Sequence, residues 1–177
     1  MKDAALIIID FQTALIKDKP YNIKKVTKNI QALIQFCNEK EIEIIYIRHN
    51  DGNHGDLKYG SKGWQIDKSI EPQNGEKIFD KEHNSAFKDT GLKEYLDQKN
   101  IKKLILAGMQ TEYCFDTTCK VAFEFGYEII LPEDANTTFD NEYLDAKSLY
   151  EFYMYKLWNN RFGEVLHFDD LDERLAK

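Results

Sequence analysis

The chain has 177 residues, 42 % hydrophobic and 13 % aromatic, with 24 Lys+Arg against 31 Asp+Glu and a net charge of −7. That length predicts one domain, 1–177, able to hide roughly 70 % of its unfolded surface without a metal or disulfide staple. The composition excludes a disordered chain, and the acidic balance argues against nucleic acid or anionic lipid as a partner.

Ala4 to Ile9 is an unbroken aliphatic run of six residues, the length of a strand buried on both faces. A bilayer span needs ~20 apolar residues and a signal-peptide core ~7–15. The expectation is therefore a cytoplasmic protein with no membrane association. Residues 22–40 place Ile23, Val26, Ile30, Leu33, Ile34 and Cys37 at helical spacing, with Lys24, Lys25 and Lys28 on the opposite face. Residues 42–47 read as a second strand. Residues 49–75 break the pattern and hold five of the nine glycines, together with His49, His54 and Trp64. A loop of that length in a small domain is usually functional.

Residues 77–79 read as a short strand, and Thr90 as the cap of a helix carrying Leu92, Tyr95 and Leu96. Leu104 to Ala107 is another apolar strand. A helix is expected from about Glu112 to Phe125, closed by Gly126. Tyr127 to Leu131 is the next strand, 140–158 a long aromatic-rich helix, and 164–168 the last strand, followed by a short charged helix. Strands alternating with amphipathic helices predict a three-layer α/β/α Rossmann-like domain with a mainly parallel six-stranded sheet. Three cysteines, Cys37, Cys114 and Cys119, form no CxxC motif. They read as reduced thiols.

Ligands of open α/β sheets bind beyond the carboxyl ends of the strands. Asp10, Gln12, Lys81 and the segment Gly108 to Cys114 all fall there. Cys114 near a helix N-terminus is expected to have a lowered thiol pKa and backbone N–H groups able to hold an oxyanion. Asp10 can take the thiol proton and Lys81 can balance the shared negative charge. Each residue also has a structural reading: a small buried hydrophobe, a turn residue and a solvated cation.

Three motifs carry more. They are Asp10-Phe11-Gln12 after an apolar strand, Lys81-x-x-x-Ser85-Ala86-Phe87, and Gly108-x-x-Thr111-x-x-Cys114 followed by Thr118 and Ala122. In this order they resemble the isochorismatase-like superfamily of cysteine hydrolases over residues 4–168. The resemblance implies a catalytic triad of Asp10, Lys81 and Cys114, with Asp10 as base and Cys114 forming a thioester. It implies a non-proline cis peptide at Met109–Gln110 and an oxyanion hole from the N–H groups of Gln110 and Cys114. It also implies a homo-oligomer, dimer or tetramer.

The expected reaction is hydrolysis of a small amide, carbamoyl or ureido C–N bond without a cofactor. The alternatives are an isochorismatase-type vinyl-ether hydrolase, for which Arg48 is the candidate second cation, and a nicotinamidase. Nicotinamidases of the family carry Asp-x-His for a metal, whereas here the segment holds His49, Asp51 and His54, which could grip a metal only loosely. The expectation is no metal. Gln12, Trp64, Phe87 and Tyr113 are the candidate substrate-binding residues. His83, His167, Cys37, Tyr150, Tyr153 and Trp158 read mainly as structural.

Overall fold

The computed structural model describes residues 2–176 except 53, 54 and 74. Strand β1 (Ala4–Ile9) is buried at every position. Its side chains alternate: Ala5, Ile7 and Ile9 enter one core, Ala4, Leu6 and Ile8 the other. That is why it reads as unbroken aliphatic sequence, since both faces are covered. Around it lie β2 (Glu43–His49), β3 (Lys77–Lys81), β4 (Lys103–Met109), β5 (Glu128–Pro132), β6 (Asn136–Thr137) and β7 (Glu164–Leu166).

The order is β3-β2-β1-β4-β5-β7, and every pairing is parallel. The six strands expected from sequence make this continuous path. A seventh, β6, pairs only with Gly108 and Met109 at the tip of β4. Two residues are too few to leave a periodic signature.

Helices α2 (Ile23–Glu39) and α6 (Leu171–Ala176) cover one face through Val26, Ile30, Leu33, Leu171 and Leu175. Helix α3 (Leu92–Gln98) and two longer helices cover the other. One is α4, which starts in a π-wound turn, Thr111–Phe115, and continues over Asp116–Glu124. The other is α5, Ala146–Glu151, continued by π-wound Phe152–Trp158. The long helix read over 140–158 therefore begins six residues late. Asp145 caps it by accepting from Ser148 N, and Asn141 folds 141–144 into a turn by accepting from Tyr143 and Leu144 N–H. The short helix α1 (Thr13–Lys17) buries no side chain and has no apolar stripe to announce it. Thr90 does not cap α3 directly. Gly91 does so in a left-handed conformation, while Thr90 Oγ1 accepts from Leu92 N.

The chain runs outward from β1 through β2 to β3, then crosses back to β4 on the other side of β1. The order reverses at the β1/β4 boundary, and a crevice opens beyond the strand ends at such a point. Gly108 lets the two tips meet. Its φ is +119°, and a Cβ there would stand 2.0 Å from Ile9 O. Among the described residues no helix is long and apolar enough to cross a membrane.

Candidate active site

Asp10 is the first residue past β1. It takes a left-handed φ of 49°, tolerated by Asp better than by most residues, and its N–H donates to Ile47 O at 3.0 Å. This tips its side chain over the β1/β2 boundary, where it is 2 % exposed. Lys81 ends β3 and is equally buried. Cys114 sits in the π-wound first turn of α4, half-buried. Two hydrogen bonds fix that turn: Phe115 N to Gln110 O at 3.1 Å, and Thr111 Oγ1 to Asn136 Oδ1 of β6 at 2.8 Å. Thr118, one turn on, accepts from Ala86 N at 3.0 Å and holds the 84–87 loop against the helix. The Met109–Gln110 peptide is cis.

Three strand ends and one helix start thus converge on the Lys81 ammonium. Its Nζ lies 2.7 Å from Asp10 Oδ2 and 3.1 Å from Cys114 Sγ. A fourth residue completes the set: His49 Nδ1, from the end of β2, is also 3.1 Å from Nζ. His49 Nε2 in turn reaches Asp51 Oδ1 at 3.0 Å. By sequence His49 is a candidate metal ligand only. The signal that could have found it is register, because His49 pairs with Lys81 in the β2/β3 ladder. The other oxygen of Asp10, Oδ1, is buried without a hydrogen-bond partner.

Burial pushes the Cys114 thiol up to about 12, and the Asp10 carboxylate acts in the same direction; the Lys81 ammonium opposes both. This corrects the lowered pKa expected from a helix N-terminus. Removing the sulfur from water and facing it with a carboxylate outweigh one ammonium and a partial dipole. The resting thiol keeps its proton.

A carboxylate oxygen of Asp10, a ring nitrogen of His49 and Cys114 Sγ all lie within 4.8 Å of one another. This donor set does not fit a metal ion, because the Lys81 ammonium contacts all three residues and is already their shared cation. Asp51 is engaged by His49, and His54 lies outside the described residues.

Asp10 and Cys114 open on a cleft of about 270 Å³, lined also by His49, Asp51, Asn84, Gln110 and Tyr113, with Leu15 and Leu57 as its apolar wall. Of the four candidate substrate-binding residues, the structure brings only Tyr113 to this cleft. Gln12 is fully buried, and both ends of its amide are spent on backbone. Nε2 donates to His49 O at 2.9 Å and Trp64 O at 2.8 Å, while Oε1 accepts from His49 N at 2.8 Å. It clamps β2 and the long loop beside the site. Trp64 is buried under Tyr59 and Arg48, the guanidinium carbon 3.6 Å from its ring centre. Phe87 packs in the core between Phe125 and Tyr127. Arg48 binds Asp80 through two hydrogen bonds, at 2.8 and 3.0 Å, outside the cleft.

Comparison with known proteins adds to this geometry. Residues 4–167 match the family model for the isochorismatase domain. An uncharacterised isochorismatase family protein, YrdC of Bacillus subtilis, is 30 % identical over 94 % of this chain and 93 % of its own length. Nicotinamidase 3 of Arabidopsis thaliana is 28 % identical over 82 % of this chain and 78 % of its own. A solved structure of an isochorismatase family protein from Chromobacterium violaceum superposes with a TM-score of 0.90 at 25 % identity, covering 99 % of this chain and 95 % of that one.

Proposed function

Because this chain belongs to the isochorismatase family of hydrolases, we propose that it cleaves the C–N bond of a small, uncharged amide, carbamoyl or ureido compound through a thioester on Cys114. The observation that carries this reading is the Lys81 ammonium, held at 2.7 Å from a buried carboxylate and 3.1 Å from a cysteine sulfur at the wall of a small cleft.

The chemistry follows from the protonation states. Asp10 takes the Sγ proton as sulfur attacks the substrate carbonyl carbon, so no free thiolate needs to stand in the resting enzyme. The N–H groups of Gln110 and Cys114 receive the oxyanion, each typically worth ~3 kcal/mol of barrier. Collapse of the tetrahedral intermediate breaks the C–N bond, and the leaving nitrogen takes the proton back from Asp10. Water then attacks the thioester. The acid leaves and the thiol proton returns. Lys81 balances the negative charge that passes between carboxylate, sulfur and oxyanion.

Cleft electrostatics support an uncharged substrate. Asp10 and Asp51 line it against one ammonium, which Asp10 already neutralises. A vinyl-ether substrate of the isochorismate kind is a dianion and needs a second cation. Arg48, the candidate, is spent on Asp80. Nicotinamide remains a fitting test compound, being small and uncharged. A homo-oligomer, dimer or tetramer, belongs to the same reading, and light scattering in solution tests it.

The deciding experiment is a panel of nicotinamide, ureides, carbamoylated amines and maleamate assayed for ammonia release, with isochorismate assayed for pyruvate. Ammonia from an uncharged amide, lost in Cys114→Ala, supports the proposal. Pyruvate from isochorismate with no ammonia from any amide overturns it.

A further inference from the structure

We propose that His49, backed by Asp51, is a positioning residue that fixes the Lys81 ammonium between Asp10 and Cys114. The inference rests on the reading of Asp10, Lys81 and Cys114 as the reacting set.

A lysine ammonium has three N–H donors and no acceptor. With its side chain fully buried, each proton needs a partner in the protein. Nζ has three: Asp10 Oδ2, Cys114 Sγ and His49 Nδ1. Because Nζ can only donate, Nδ1 must accept with its lone pair. The imidazole proton is then on Nε2, which points at Asp51 Oδ1 3.0 Å away. Asp51 therefore selects the tautomer, and the tautomer selects an acceptor for Lys81. The ring is held from behind as well, since Gln12 bonds both His49 N and His49 O.

The chain of contacts runs Asp51, His49, Lys81, Cys114, with a branch to Asp10. Without the His49 acceptor, one ammonium proton has no partner in a buried site. The ammonium then swings toward Asp10, the stronger acceptor, and away from sulfur. The titratable groups facing His49 come from every neighbouring element: Asp10 after β1, Lys81 on β3, Asp51 in the loop after β2, and the Cys114 thiol in the first turn of α4. Protonation at Nδ1 would set two N–H donors against each other across 3.1 Å.

The test uses native protein, His49→Ala and His49→Asn, whose side-chain oxygen can stand near the Nδ1 position. Two readouts are taken on each: the rate of Cys114 alkylation by iodoacetamide, which needs no substrate, and kcat and KM on whichever amide the panel identifies. A lost hydrogen bond to a charged group predicts a roughly ten- to hundredfold fall in kcat and in alkylation rate for His49→Ala, with KM little changed. His49→Asn should recover most of both, and added imidazole should partly rescue the alanine variant. Circular dichroism and thermal melting establish that each variant is folded. If the native chain turns over no amide but alkylation still falls in His49→Ala and returns in His49→Asn, the positioning role stands and the amide reading fails. Folded His49→Ala with native alkylation rate overturns the positioning role. So does a fall that neither Asn nor imidazole reverses.

Discussion

Two neighbouring rungs of one ladder have opposite characters. Between β2 and β3, Arg48 pairs with Asp80 and His49 pairs with Lys81 in consecutive register positions. Successive side chains of a strand point to opposite faces, so the first pair turns away from the second. Arg48 and Asp80 form a partly exposed ion pair against Trp64, beside a cavity of about 720 Å³. His49 lines the 270 Å³ cleft, and Lys81 lies behind it, fully buried against Asp10 and Cys114. The larger cavity has cations, Arg48, Lys62 and Lys68, and carboxylates, Asp67 and Glu71, but no cysteine in its lining. The proposed chemistry sits where strand ends converge at the switch point, in the smaller of the two hollows.

Mutations on the two rungs sharpen that contrast. The largest effect belongs to Cys114, the proposed nucleophile. Cys114→Ala should cut turnover by a factor on the order of 10⁴ or more while leaving the fold intact, since the side chain is half-buried and Asp10 and His49 still hold the Lys81 ammonium; steady-state rates and a melting curve report both. Next is Lys81→Met, which strands the Asp10 carboxylate in a buried site. Breaking a buried pair by deleting one partner costs ~3–5 kcal/mol, so loss of activity with a large fall in urea midpoint is expected. An unchanged midpoint would mean that the Asp10–Lys81 pair contributes nothing to folding.

Thiol titration comes third. With Cys114 raised to about 12, thiolate is the minor form at neutral pH. Its fraction rises tenfold for each pH unit below the pKa. Alkylation of Cys114 should therefore keep climbing through pH 9, and Cys114 should still label ahead of the fully buried Cys37 and Cys119. A plateau reached by pH 7 would restore the lowered pKa and a preformed thiolate. Smallest is Arg48→Ala on the outer rung. A partly exposed ion pair is worth ~0–1 kcal/mol and the stacking a similar amount, so kcat should stay within about threefold of native. A loss as deep as that of His49→Ala would erase the distinction between the two rungs.

Much of this was legible in the sequence because it is written in periodicity and spacing. The aliphatic run of β1, the stripe of α2 and the three motifs needed no coordinates. The pieces that were not legible share a physical reason: their meaning depends on a partner distant in sequence. Gln12 reads as a polar residue at a rim, yet its amide is consumed by the backbone of His49 and Trp64. Trp64 and Phe87 read as pocket walls, but Arg48 covers the one and Phe125 with Tyr127 encloses the other. His49 looked like half of a loose metal pair until the β2/β3 register set it against Lys81. The thiol pKa departs from the sequence expectation for the same reason. A helix start is visible in sequence, whereas the burial that overrides it is a property of the assembled site.

The central claim is that Cys114 carries the acyl group of an amide during turnover. Rapid acid quench of the native chain with a substrate from the amide panel, followed by intact mass and peptide mapping, reads it directly. An adduct equal to the substrate acyl group on the peptide bearing Cys114, absent from Cys114→Ala, is the predicted result. Continued ammonia release by Cys114→Ala, with no adduct in the native protein at any quench time, would contradict it.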